Sequence, residues 1–147
     1  MNLDEKIINA LKDLDYKEAT EIQKKAIPIA LKKRDILAAA QSGTGKTAAF
    51  LLPILTELLA NKQVDKPILR ALILVPTREL ATQISKAVSD FSKYMEVESL
   101  AMVGGVSTKD QEKKIAKGLD ILVATSGRLM EHLKNGTVDL SSVTTVV

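Results

Sequence analysis

Short apolar runs alternate with longer amphipathic stretches along most of this chain, and that alternation restricts its fold more than any other feature. Asp35–Ala39, Ala71–Val75, Ser99–Val103, Asp120–Ala124 and Val143–Val147 read as buried strands. Between them, Thr47–Ala60, Arg78–Tyr94, Ser107–Lys117 and Gly127–Lys134 read as helices, with Ser107 and Asp110 capping the third and Asn135-Gly136 ending the fourth. Near-continuous apolar strands separated by helices imply parallel pairing through right-handed crossovers. The expected fold class is therefore α/β: an open, doubly wound, mostly parallel sheet with helices on both faces. Two further helices come first. Leu3, Ile7, Ala10, Leu11 and Leu14 share one helical face, with Asn2 as cap and Glu5 three residues on. Thr20 and Gln23 form a capping-box pair for a second helix, with Ile22, Ala26, Ile27 and Ala30 inward; Pro28 should kink or split it. Pro53 should bend the helix over residues 47–60, and residues 61–67 read as a polar connection.

Composition removes several classes of chemistry. A chain of 147 residues, 46% of them hydrophobic, suits one globular domain with a real core. Cys is absent, which excludes disulfide scaffolds, thiolate catalysis and Cys-ligated metals. The single histidine, His132, cannot build a His-cluster metal site. Without Trp, and with aromatics at 3%, base-stacking platforms lack material. The net charge of +3 is spread along the chain, so a nucleic-acid partner has to be argued from placed residues. Between Asp35 and Glu57 the only charge is Lys46, but Ser42-Gly43-Thr44-Gly45-Lys46 at the centre of that stretch speaks against a membrane helix. The acidic start, Asp4-Glu5, does not resemble a secretory leader, and the expected location is cytoplasmic. Val143–Val147 stops inside an apolar strand, which reads as a piece of a longer domain.

The most specific string is Ala40-Gln41-Ser42-Gly43-Thr44-Gly45-Lys46-Thr47. It matches the phosphate-binding loop except for Ala where the general pattern has its first Gly. Glycines let consecutive backbone N–H groups turn toward an anion, and the helix that follows adds its positive end. In such a loop Ser42, Gly43, Thr44 and Gly45 cradle phosphates, Lys46 reaches the β- and γ-phosphates, and the Thr47 hydroxyl ligates Mg²⁺. The loop also falls between an expected strand and an expected helix, which is the context required.

Three more loops follow expected strands. Pro76-Thr77-Arg78 and Thr125-Ser126-Gly127-Arg128 each open a helix, where N–H groups, a hydroxyl and a guanidinium can meet one phosphate. Gly104-Gly105 permits close approach of a backbone. Each alone reads as a capped strand-to-helix turn. Thr20 and Gln23 alone are cap residues with Tyr16 packed beside them, although an amide can also pair with an adenine edge and a ring can stack on a base. Lys24-Lys25, Lys32-Lys33-Arg34 and Lys113-Lys114-Lys117 read as solvated helix faces. His132 reads as a cation suited to a helix end, without a catalytic role. Phe50, Phe91, Met102 and Met130 read as core.

Taken in order, Thr20-x-Ile22-Gln23, Ala26-Ile27-Pro28, AQSGTGKTAAFLLPIL (40–55), PTRELA (76–81), Gly104-Gly105 and Thr125-Ser126-Gly127-Arg128 resemble the first RecA-like domain of DEAD-box RNA helicases. The resemblance spans essentially the whole chain. It implies an ATP-dependent enzyme that unwinds short RNA duplexes, with residues 1–147 the N-terminal part of the first RecA-like domain and a second such domain elsewhere in the parent protein. It implies that Tyr16, Thr20 and Gln23 select adenine, that Lys46 and Thr47 serve catalysis with ATP and Mg²⁺, and that the acidic magnesium partners lie beyond Val147. It also implies that Pro76, Thr77, Arg78, Gly104, Gly105, Thr125, Ser126, Gly127 and Arg128 line the path of RNA and touch its sugar-phosphate backbone, with no membrane partner. Departures are Asp15 where the family has Gly, Ala19 and Ser126 where it has Pro, and no upstream aromatic. Residues 1–147 alone are expected to bind nucleotide weakly and hydrolyse none. Two alternatives stay open: another P-loop ATPase such as a DNA helicase, and a non-catalytic module that binds ATP or RNA.

Overall fold

The computed structural model describes residues 2–62 and 65–147, and these form two compact units. One unit holds the described residues up to Lys62 together with Ala87–Glu96. The other holds the described residues from Asp65 to Lys86 together with Val97–Val147. Gln63 and Val64, part of the expected polar connection, lie outside the described residues, as does Met1.

The first unit is helical. α1 (Glu5–Asp13) is capped by Asp4 rather than by Asn2: an extended Asp4 backbone lets its carboxylate accept the Lys6 N–H at 2.9 Å. α2 (Glu21–Leu31) starts at the Thr20–Gln23 capping box and runs on through Pro28. Pro28 and Lys24, whose carbonyl loses its bond there, both face solvent, so water can replace that bond and the helix does not split. α3 (Lys46–Ala60) is the longest helix and the most apolar, and Ile7, Ala10, Ile27, Leu51 and Leu55 of the three helices are completely buried.

Asp35–Ala39 departs from the reading made from sequence. These residues form no strand; all are exposed, and Leu37 is fully so. Apolar composition favours burial, but a strand exists only where a neighbour supplies its hydrogen-bond ladder. The sheet is built entirely from residue 71 onward.

That sheet belongs to the second unit and is fully parallel. Its strands are β1 (Ala71–Val75), β2 (Ser99–Met102), β3 (Ile121–Thr125) and β4 (Thr145–Val146), in the order β2-β3-β1-β4. Val75 pairs with Thr125 and Met102 with Ala124, so three strands end level with one another. On one face Leu72, Leu100, Met102, Leu122 and Ala124 bury against Leu129 of α6 (Ser126–Lys134) and Ile115 of α5 (Thr108–Lys117). Ile73, Ile121 and Val123, which point the other way, are equally buried, so both faces are covered.

Helix α4 (Arg78–Phe91) stops three residues before Tyr94. The Ser92 hydroxyl donates to the Val88 carbonyl at 2.6 Å, and the Met95 N–H then bonds the Ser92 carbonyl in a turn. Phe91 and Met102 are core residues and Phe50 is half-buried, but Met130 is exposed. The inward face of α6 passes through Leu129, His132 and Leu133, and Met130 falls one residue off it. His132 is correspondingly buried rather than displayed at the helix end. Among the described residues no helix is long and apolar enough to cross a membrane.

Candidate functional site

In the first unit the loop at residues 40–47 is built around two positive-φ glycines, Gly43 (+80°) and Gly45 (+89°). Gly45 is the N-cap of α3, in a left-handed conformation that a side chain would strain. A Cβ there would also lie 2.4 Å from Gln23 Nε2 and 2.9 Å from Thr20 Oγ1. That close approach exists because Gln23, almost wholly buried, ties α2 to the loop. Its Oε1 accepts the Thr20 N–H at 3.0 Å, and its Nε2 donates to the Gly45 carbonyl at 3.1 Å. Gln23 and Thr20 are thus brought to the phosphate-loop string. Tyr16 instead sets its ring edge-on to Phe91, 5.7 Å between centroids, and lines a groove with Ile8, Leu11 and Lys12.

The Lys46 ammonium is exposed and donates to the Ala40 carbonyl at 2.6 Å, while Thr44 Oγ1 donates to the Gln41 carbonyl at 2.7 Å. The loop therefore holds its own cation by a neutral carbonyl, a weaker partner than a phosphate oxygen. Space beside Gly43 is open, and Thr47 sits in the first turn of α3. This arrangement can take an anion at a helix N-terminus. Among the described residues no three His, Asp or Glu side chains are grouped to hold a metal ion.

In the second unit the level ends of β2, β3 and β1 deliver three loops to one edge of the sheet, where ligands of open α/β sheets bind. Pro76, Thr77 and Arg78 are exposed, with Thr77 Oγ1 accepting the Leu80 N–H at 3.2 Å as a cap. Arg78 lies against the next loop: a Cβ on Gly105, whose φ is +79°, would sit 2.7 Å from an Arg78 Nη1. Ser126 and Gly127 are exposed at the start of α6, which follows β3 directly at Ser126 rather than at Gly127. Ser126 thus occupies the first helical position, where a Pro is well accommodated and a Ser keeps its N–H.

Arg128 is used differently from Arg78. Its side chain is 13% exposed, and four of its five N–H groups are bonded inside the unit. Nε donates to Gln111 Oε1 (3.1 Å), Nη1 to Glu131 (2.8 Å), and Nη2 to the Val106 carbonyl (2.7 Å) and Thr108 Oγ1 (3.0 Å). The sequence reading passed over Gln111. An uncharged polar residue between Asp110 and Glu112, one turn before the inward-facing Ile115, was the available signal.

Comparison with known proteins agrees with this geometry. The family model described as DEAD/DEAH box helicase matches residues 20–147. The chain is 45% identical over 142 residues to ATP-dependent RNA helicase DeaD of Escherichia coli, covering 96% of this chain and 22% of that protein. It is 44% identical over 135 residues to a probable ATP-dependent RNA helicase, ddx27, of Dictyostelium discoideum, covering 92% of this chain and 17% of that protein. It therefore spans about a fifth of the length of these relatives. A crystal structure described as a hypothetical ATP-dependent RNA helicase from Sulfolobus tokodaii superposes with a TM-score of 0.84 at 36% identity, over 96% of this chain and 40% of that one. With a family match over most of its length, a parallel sheet that superposes on a helicase fold and a glycine-rich loop capping α3, this chain belongs to the DEAD/DEAH box helicase family.

Proposed function

We propose that this chain is the ATP-binding part of an RNA helicase, the N-terminal portion of a first RecA-like domain whose partner domain lies elsewhere in the parent protein. The observation that carries the reading is the loop at residues 40–47, which presents glycine N–H groups and the Lys46 ammonium at the start of the longest helix. A triphosphate would take Lys46 from the Ala40 carbonyl, exchanging a neutral acceptor for a charged one. Thr47 Oγ1 is the group present that suits Mg²⁺. When bound, that ion would neutralise charge shared by the β- and γ-phosphates. Gln23 and Thr20 stand next to the loop and, with Tyr16, are assigned to adenine. A Gln23 amide that turned to a base would release Gly45, which couples base recognition to loop shape.

RNA is assigned to the second unit: Pro76, Thr77 and Arg78, Gly104 and Gly105, and Thr125, Ser126, Gly127 and Arg128. What supports this is the exposure of most of these residues at one sheet edge and the placement of Arg78 against Gly105. Phosphates and sugars are the groups such loops can reach, so binding should be independent of sequence and strongly dependent on salt. The lack of Cys and of a membrane-crossing helix among the described residues suits a cytoplasmic protein.

The test is phosphate release by the full-length protein. We expect stimulation by single-stranded RNA and not by DNA, and competition by ADP and not by GDP. DNA stimulation or guanine selectivity would shift the assignment to another P-loop ATPase, and no hydrolysis at all to a binding module. Arg78→Ala should weaken RNA binding and lower the magnitude of the log K against log salt slope by about 0.7, the share of one single-strand phosphate. An unchanged slope would take this loop out of the RNA path.

A further inference from the structure

One buried side chain joins two of the loops assigned to RNA. Gln111 is 1% exposed, and its Nε2 donates to the carbonyl of Val103, the residue before Gly104-Gly105, at 3.0 Å. Its Oε1 accepts from Arg128 Nε at 3.1 Å and from His132 Nε2 at 2.9 Å. These partners fix which way the amide points, because a carbonyl can only accept and the Arg128 Nε–H can only donate. His132, fully buried and bonded through Nδ1 to Thr137 Oγ1 at 2.8 Å, holds the amide from behind.

Arg128, oriented through Nε, then bonds the Val106 carbonyl with Nη2. The two glycines are thus pinned on both sides, at Val103 by Gln111 and at Val106 by Arg128. Gly104 itself faces open space and Gly105 lies against Arg78. A double-glycine segment held only by its own backbone would sample many conformations, and each would have to be selected against when a ligand binds.

We propose that Gln111 is a positioning residue for the RNA surface: its single amide sets both the course of the Gly104-Gly105 loop and the plane of the Arg128 guanidinium. The proposal rests on the assignment of these loops to RNA. Gln111 touches no ligand itself and acts through Val103 and Arg128.

The test measures the affinity of the full-length protein for a fluorescent single-stranded oligouridine, with ADP affinity as the control for folding. Gln111→Leu, close in volume but without the amide, should weaken RNA binding roughly tenfold with ADP affinity unchanged. Combined with Arg128→Ala, the double variant should lose less than the product of the two single losses, because both act on one loop. A role in stability alone predicts that ADP affinity falls together with RNA affinity, and that outcome, multiplicative losses or wild-type RNA affinity in Gln111→Leu would overturn the proposal. Gln111→Glu keeps the acceptor for Arg128 and His132 but sets a carboxylate against the Val103 carbonyl, so it should still bind RNA more weakly than wild type with ADP affinity unchanged; wild-type RNA affinity overturns the proposal. That comparison decides the matter if Gln111→Leu does not fold. A wild-type protein with no RNA affinity would overturn the functional reading and this proposal together, before any variant is compared.

Discussion

Gly43 and Gly45 stand two residues apart with nearly the same backbone, yet they differ in what surrounds them. Both have φ near +80 to +90°, so an alanine at either pays left-handed strain of about 1–2 kcal/mol. Beyond that, a Cβ on Gly43 meets nothing within 4 Å, whereas one on Gly45 strikes Gln23 and Thr20. Gly43→Ala should therefore cost about the strain alone. Gly45→Ala should cost at least about 1 kcal/mol more, since the buried Gln23 side chain must give up a bond. Urea denaturation of the two variants checks this, and equal losses would contradict the packing around Gly45. The loop pattern was legible in the sequence at this scale. The dependence of Gly45 on Gln23 was not, because the two lie 22 residues apart and only the fold brings them into contact.

Among the elements, α1 is fastened to the turn that follows α4 by one surface cluster. Asp13 accepts from Lys93 Nζ at 2.5 Å and from Tyr94 Oη at 2.6 Å, and Lys93 also lies 5.2 Å from the Tyr94 ring centre. Hydrogen bonds from Lys93 and then Tyr94 hold the Asp13 carboxyl below its ordinary value of 3.8. The bond to Asp13, chiefly, raises Lys93 above 10.5. A carboxyl with a lowered native pKa adds stability that is present above 3.8 and is lost as pH falls through the native value. For Lys93 the contribution is present below 10.5 and is lost as pH rises through its raised value. Asp13→Asn should thus lower the unfolding midpoint at neutral pH by a small amount, as exposed pairs do, and should flatten the acid limb. Parallel wild-type and variant limbs below pH 4 would show that the cluster contributes nothing. Helix boundaries near it were only partly readable, since Ser92 ends α4 through a bond to its own preceding turn.

For the molecule as a whole, we assign nucleotide to the loop at residues 40–47 and RNA to three loops of the second unit, and none of the side chains so assigned is an acid that could hold Mg²⁺ and position water. Binding and hydrolysis should therefore separate. Residues 1–147 should bind ADP or ATP weakly and release no phosphate, with or without RNA. RNA-stimulated phosphate release from this chain alone would refute the division of labour proposed here.

The sequence by itself determined the α/β class, β1 to the residue and the family, and it supplied the string on which the phosphate-loop proposal rests. Each of these is encoded in local periodicity or in a contiguous string, so neighbours along the chain suffice to read it. Tertiary structure decided that Asp35–Ala39 carries no strand, that His132 is buried, and that Gln111 and Arg128 are joined to the Gly104-Gly105 loop. Strand pairing and the satisfaction of buried polar groups depend on partners distant in sequence. An apolar run or a lone glutamine does not name its partner until the chain has folded around it.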